Sequence, residues 1–159
     1  MNYLRITGPD IENGLGFRVT LWISGCSLGC PGCQNHMGWD FKAGKEFTDE
    51  TYQELVEKLN KPYIKGLTLS GGNPSESPEV VDVIKRLKND LPEKDIWLFS
   101  GFTLEELKEQ GKTELLGLID VLVDGRFILS ERDTSLAFRG SRNQIIWMKD
   151  PEGNFVKMV

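Results

Sequence analysis

The sequence holds one histidine and three cysteines in 159 residues, and long apolar runs are missing from it. A lone His36 leaves no Ser-His-Asp set and no histidine-based acid and base pair to argue from. No segment approaches the roughly 18 apolar residues of a membrane span, and residues 1–10 lack the apolar core of a signal peptide. Dense positive charge is missing too. The net charge of −5 speaks against nucleic acid as the main partner, because phosphate binding wants clustered Lys and Arg. An odd cysteine count without a signal peptide does not make a secreted disulfide framework, so a reducing cytoplasm is the expected compartment. Repeats, low-complexity tracts and linkers are absent, and 1–159 reads as a single domain of ordinary size.

What is present is concentrated. All three cysteines lie in Cys26-Ser27-Leu28-Gly29-Cys30-Pro31-Gly32-Cys33, a C-x3-C-x2-C run that converges three thiolates from one short loop. Three ligands are one short of a closed zinc or iron–sulfur site, so a metal held this way keeps a position open for substrate. Two metal readings stand side by side. In one, the thiolates hold three irons of a 4Fe-4S cluster and leave the fourth free. In the other, His36, three residues past Cys33, completes a Cys3His zinc site in an interaction module without catalysis. Three inert thiols form a third reading, which so dense a cluster disfavours.

Five short apolar runs at 19–23, 66–69, 95–99, 121–123 and 144–148 read as strands buried on both faces, as in a parallel sheet. Helical segments lie between them. Thr48 is placed to cap a helix carrying Tyr52, Leu55, Val56 and Leu59 on one stripe. Ser77-Pro78 reads as an N-cap and first helical residue ahead of Val80, Ile84, Leu87 and Leu91. Thr103 and Glu106 spell a capping box, and a further helical turn is expected at 115–119. This alternation predicts an α/β fold with right-handed crossovers. A full eight-unit barrel takes about 250 residues; this length suits a truncated, TIM-like βα barrel with a mostly parallel sheet. The direction of its last strand stays open. Ligands in such folds bind at the carboxyl ends of strands, and the first four runs each end in a glycine-bearing loop there.

These residues carry a resemblance. The cysteine spacing after a first strand resembles the signature of the radical S-adenosylmethionine superfamily, where a second strand ends in Gly-Gly, here Ser70-Gly71-Gly72. More narrowly, the chain is similar to the family of activating enzymes of anaerobic, class III ribonucleotide reductases. The matching stretches run in family order over nearly the whole chain. They are Asn13-Gly14-Leu15-Gly16-Phe17-Arg18, Cys33-Gln34-Asn35 with Trp39, and Gly66-Leu67-Thr68-Leu69-Ser70-Gly71-Gly72. Lys94-Asp95-Ile96-Trp97 then leads to Ser100-Gly101-Phe102, followed by Asp120-Val121-Leu122-Val123-Asp124-Gly125 and Arg139-Gly140-Ser141-Arg142-Asn143-Gln144.

The resemblance implies a 4Fe-4S cluster on Cys26, Cys30 and Cys33, with S-adenosyl-L-methionine chelating the free iron. One electron from the cluster cleaves the sulfonium to a 5′-deoxyadenosyl radical, which abstracts hydrogen from a glycine of the reductase. It implies the reductase large subunit as protein substrate and a flavodoxin-like electron donor, while a homodimer stays open. Gly32, Cys33 and Gln34 are expected along the adenosyl group, and Gly71 and Gly72 along the methionyl group. Asn73 departs from the pattern, which has an acidic residue after the glycines; an amide offers the amino group only a neutral acceptor. Gln34 also departs, since an aromatic residue is common there.

Other residues have plainer readings. Trp22, Trp97 and Trp147 are expected in the core, and Trp39 either there or over the cluster. Arg18 and Arg126 read first as surface salt bridges and second as partners of an anion. Arg139 to Gln144 reads as a brace of the rim or a partner contact. Too few residues remain for a deep lid, so the partner is expected to close the site.

Overall fold

All five apolar runs are strands in the computed structural model, which describes residues 1–33 and 36–159. In chain order the elements are β1 (Asn2–Asp10), β2 (Arg18–Ile23), β3 (Lys45–Glu46), α1 (Asp49–Leu59), β4 (Gly66–Gly71) and α2 (Glu79–Asp90). There follow β5 (Asp95–Phe99), α3 (Leu104–Glu109), α4 (Thr113–Leu118), β6 (Val121–Asp124), β7 (Ile145–Lys149) and β8 (Phe155–Lys157). The strands form one sheet in the order β3-β1-β2-β4-β5-β6-β7-β8. The neighbours β2, β4, β5 and β6 are parallel, while both flanks pair antiparallel.

The sheet thus has the expected parallel centre with antiparallel flanks, but it is open rather than curled into a barrel, with β3 and β8 at its edges. The reason is local. The connection from β6 to β7 is a loop that turns back on the same rim, so Asp124 ends opposite Ile145 and β7 runs downward. Parallel pairing needs a crossover, usually an α-helix, and the connection from β6 to β7 contains only the short 3-10 turn Leu129–Glu131.

The helix starts follow the local chemistry. Thr48 accepts from the Thr51 N–H at 3.3 Å while Thr51 Oγ1 accepts from the Thr48 N–H at 3.1 Å. Thr103 and Glu106 make the expected reciprocal pair, each bond 3.1 Å. At Ser77-Pro78 the helix begins one residue later than the sequence suggests. Pro78 takes the cap position with helical dihedrals, and Glu79 is the first residue inside.

Strand alternation sorts the two faces of the sheet. Val19, Leu21, Ile23, Leu67, Leu69, Ile96, Leu98 and Leu122 belong to the core built with the helices, which supply Tyr52, Leu55, Ile84, Leu87, Leu107 and Leu115. The opposite face has a smaller core of its own toward β6 and β7. Trp97, Val121, Val123 and Ile146 cluster there, and Phe138 packs edge-on against Trp97 at 5.4 Å. Beside them lies Arg18, fully buried. Its Nε donates to Thr68 Oγ1 at 2.8 Å and its terminal nitrogens to the Leu67 and Leu15 carbonyls. Asp95 Oδ1 lies 2.6 Å from the guanidinium as an ion pair. Burial pulls the Arg18 pKa down, and the Asp95 carboxylate works against that. Arg18 is thus a buried plug at the strand starts, not a surface bridge and not a neighbour of the cysteines.

Among the described residues, no helix is long and apolar enough to cross a membrane.

Candidate functional site

Above that plug the inner face is hollow. A cavity of about 520 Å³ opens at the strand ends, and Cys26, Cys30, Cys33, Gly71, Gly72 and Gly101 line it. The three cysteines are free thiols of intermediate burial.

The loop that carries them is woven into the strand ends by backbone bonds. Gly25 donates to the Gly38 carbonyl at 2.7 Å and Cys26 to the Trp39 carbonyl at 3.0 Å. Asn73 donates to the Gly25 carbonyl at 2.7 Å, and Gly72 to that of Ile23 at 2.8 Å. Side chains have no room in this weave: a Cβ on Gly25 would strike the Phe41 ring, and one on Gly72 the Gly25 carbonyl. Gly71 and Gly72 are thus required by the close approach of β2 and β4, and they also line the cavity. Gly32 has φ +77°, and a Cβ there would stand 2.9 Å from Leu129. Gln34 lies outside the described residues.

Burial pushes the Cys26 thiol up; the N–H groups of Leu28 and Gly29 pull it down, and the Glu76 carboxylate adds to the rise. Among the described residues, no three His, Cys, Asp or Glu side chains are gathered tightly enough for one metal ion. A single zinc needs all its sulfurs at about 2.3 Å from one centre. Three thiols lining one cavity are the number that a 4Fe-4S cluster with one open iron takes. His36 Nδ1 lies 3.4 Å from the Cys33 carbonyl, and its ring sits edge-on to Trp39 at 6.3 Å.

Asn73 is buried beneath the rim. Its Oδ1 accepts from Ser75 Oγ at 2.7 Å and Ser100 Oγ at 3.2 Å, whereas Nδ2 has no partner. The acceptor expected from sequence is therefore already engaged, and the free atom is a donor.

The stretch from Arg139 to Gln144 braces the rim. Gln144 Oε1 accepts from the N–H groups of Gly140 and Ser141, and Gln144 Nε2 donates to the Gly125 carbonyl at 2.9 Å. Asn143 donates to the Arg126 carbonyl at 2.8 Å. These bonds fasten loop 126–144, which brings Phe127, Leu136 and Phe138 to the cavity wall. The chain thus supplies part of its own cover, more than its length suggests. Phe138 holds φ +59°, and its ring is seated on Trp97. Asp124, at the end of β6, accepts from Leu104 N–H at 2.6 Å and Trp147 Nε1 at 2.9 Å; burial pushes its carboxyl up against those bonds.

Two tryptophans sit where sequence alone did not place them, while Arg126 makes the surface salt bridge expected of it. Trp22 lines the cavity, with Nε1 on Thr7 Oγ1 at 2.8 Å and the Arg5 guanidinium 4.4 Å from its ring. Trp39 is half-buried and serves the cysteine loop through its carbonyl. Arg126 pairs with Glu106 at 3.0 Å on the outer rim rather than turning to the cavity. That hydrogen bond, then the Thr103 N–H, hold the Glu106 carboxyl below its ordinary range. A lowered carboxylate contributes stability that is complete above its unfolded pKa and fades as pH falls through the folded one. With both side chains a third or more exposed, the contribution stays under about 1 kcal/mol. Glu106→Gln should flatten this slope in denaturation curves recorded as pH falls through the ordinary glutamate range and below it.

Comparison with known proteins agrees with the geometry. A family model described as a 4Fe-4S single cluster domain matches residues 12–147. An anaerobic ribonucleoside-triphosphate reductase-activating protein of Haemophilus influenzae is 45% identical over 151 residues, covering 92% of this chain and 97% of that protein. The proteins of the same description from Escherichia coli K12 and Enterobacteria phage T4 are 40% and 41% identical, again over 92% of this chain and over 97% and 94% of theirs. The chain belongs to the family of anaerobic ribonucleoside-triphosphate reductase-activating proteins.

Proposed function

We propose that this chain, as one radical S-adenosylmethionine domain, activates an anaerobic ribonucleoside-triphosphate reductase, with the large subunit as its protein substrate. The observation that carries this reading is the trio of free thiols in one cavity of about 520 Å³ floored by glycine strand ends. Cys26, Cys30 and Cys33 hold a 4Fe-4S cluster, and S-adenosylmethionine occupies the space beside it. When bound, this pair supplies reductive cleavage to a 5′-deoxyadenosyl radical that takes hydrogen from a glycine of the partner.

The protein's own residues position and shield. Gly71 and Gly72 give the methionyl group backbone to lie against, and Gly32, Cys33 and Gln34 flank the adenosyl group. Phe99, Phe127 and Phe138 supply apolar wall, which excludes water from a reactive radical. The open sheet with its helix layer is a truncated βα barrel in this reading, and the partner completes the cover that loop 126–144 begins. The electron donor is a small flavodoxin-like carrier, the compartment is the cytoplasm, and a homodimer is compatible with the exposed sheet edges.

Asn73→Asp tests the one departure at the cofactor end. A carboxylate would keep the two serine bonds and offer a charged acceptor to the amino group, which is worth about 1 kcal/mol more than a neutral contact, or roughly fivefold in affinity. Equilibrium binding of S-adenosylmethionine to the reconstituted variant measures this. Unchanged or weaker binding removes Asn73 from the cofactor site. The activity itself is read by mixing reduced protein, S-adenosylmethionine and reductase anaerobically: a glycyl radical signal on the reductase is expected, and its absence with a loaded cluster refutes the assignment.

A further inference from the structure

The acidic residue that the family pattern puts after the two glycines is missing at 73, yet the same turn carries Glu76 three residues on. The turn Pro74–Glu76 is closed by the Glu76 N–H on the Asn73 carbonyl at 2.9 Å. It directs the Glu76 side chain toward the cysteine loop. Oε2 accepts from the Ser27 N–H at 2.9 Å, and Oε1 accepts from the Ser27 hydroxyl. Both carboxylate oxygens are therefore spent on the residue directly after Cys26. Two charge-assisted bonds to one residue fix position as well as attract.

We propose that Glu76 is a positioning residue for the ligand loop and that its charge lowers the reduction potential of the cluster held there. The inference rests on the cluster reading above. The clamp pins the first arc of the loop, directly beside Cys26. It also occupies the Ser27 N–H, which is then not free to donate to a cluster sulfur. Cluster potentials depend on local charge and on hydrogen bonds to the sulfurs. A fixed negative charge and one fewer N–H···S bond both make the reduced cluster harder to form and a stronger electron donor. Donor strength is what reductive cleavage of a sulfonium demands.

Two variants separate the clamp from the charge. Glu76→Gln keeps an acceptor of the same length and removes the charge; Glu76→Ala removes both. In the metal-free chain, hydrogen exchange at residues 27–29 should accelerate at least tenfold in Glu76→Ala and much less in Glu76→Gln, with the strand amides unchanged. In the reconstituted protein, potentiometric titration followed by electron paramagnetic resonance should give a more positive midpoint for both variants. Parent-like exchange in Glu76→Ala overturns the clamp, and a parent-like midpoint in Glu76→Gln overturns the charge effect. The exchange experiment needs no cluster, so failure of cluster assembly, which would defeat the proposed function, is told apart from failure of the clamp.

Discussion

Alanine at any one of Cys26, Cys30 or Cys33 should take iron–sulfur absorbance and activation of the reductase to background, while His36→Ala stays close to the parent in both. Each cysteine is the ligand of its own iron in this account, so no neighbouring donor substitutes for a lost one. Among the described residues, no other cysteine exists, and the nearby Glu76 carboxylate is engaged by Ser27. His36 has other company, its ring on Trp39 and Nδ1 beside the Cys33 carbonyl. Iron and sulfide content after anaerobic reconstitution, together with the glycyl radical yield, measures both halves. The opposite pattern, a damaged His36→Ala and a tolerant cysteine, would move the metal to a zinc site.

The second large effect lies at the other end of the sheet. Asp95→Ala leaves Arg18 buried and charged without its partner, and breaking a buried pair from one side costs about 3 kcal/mol or more. For a chain of this size that lowers the melting temperature by roughly 6–12 °C. The comparison is Glu114→Ala, which removes an ion pair to Lys85 whose two side chains are at least half exposed. That loss should be small. Thermal or urea denaturation of the two variants decides; equal, small losses would mean that water reaches Arg18 and that it is no plug.

Much of the fold was legible because burial writes itself into short apolar runs. The parallel strands β2, β4, β5 and β6 and the caps at Thr48 and Thr103 follow from it. What escaped is instructive. β1 alternates polar and apolar residues and is only partly buried, since it covers the flank of β2 instead of lying in the centre. β3 and β8 have two and three residues, too few for any period to show. Loop 126–144 has no period at all; its placement comes from the Gln144 and Asn143 amides and from Phe138 seated on Trp97, contacts between residues far apart in sequence.

The site divides in the same way. The cysteines and the strand-end glycines could be picked out because their spacing is local. Glu76 could not, because its partner Ser27 lies 49 residues away and neither residue is unusual by itself. Trp22 reads as core from its apolar neighbours, yet its position in β2 turns it to the cavity face. Arg18 reads as a surface cation until the register of β2, β4 and β5 puts it level with Gly66 and Asp95.

Quantifying metal and sulfide in protein assembled under strict exclusion of oxygen bears most directly on whether three sulfurs here leave one iron uncovered. The account predicts a brown protein carrying four irons and four sulfides per chain, whose reduced-state resonance changes when S-adenosylmethionine is added. A colourless product with one zinc per chain, indifferent to S-adenosylmethionine, would contradict it.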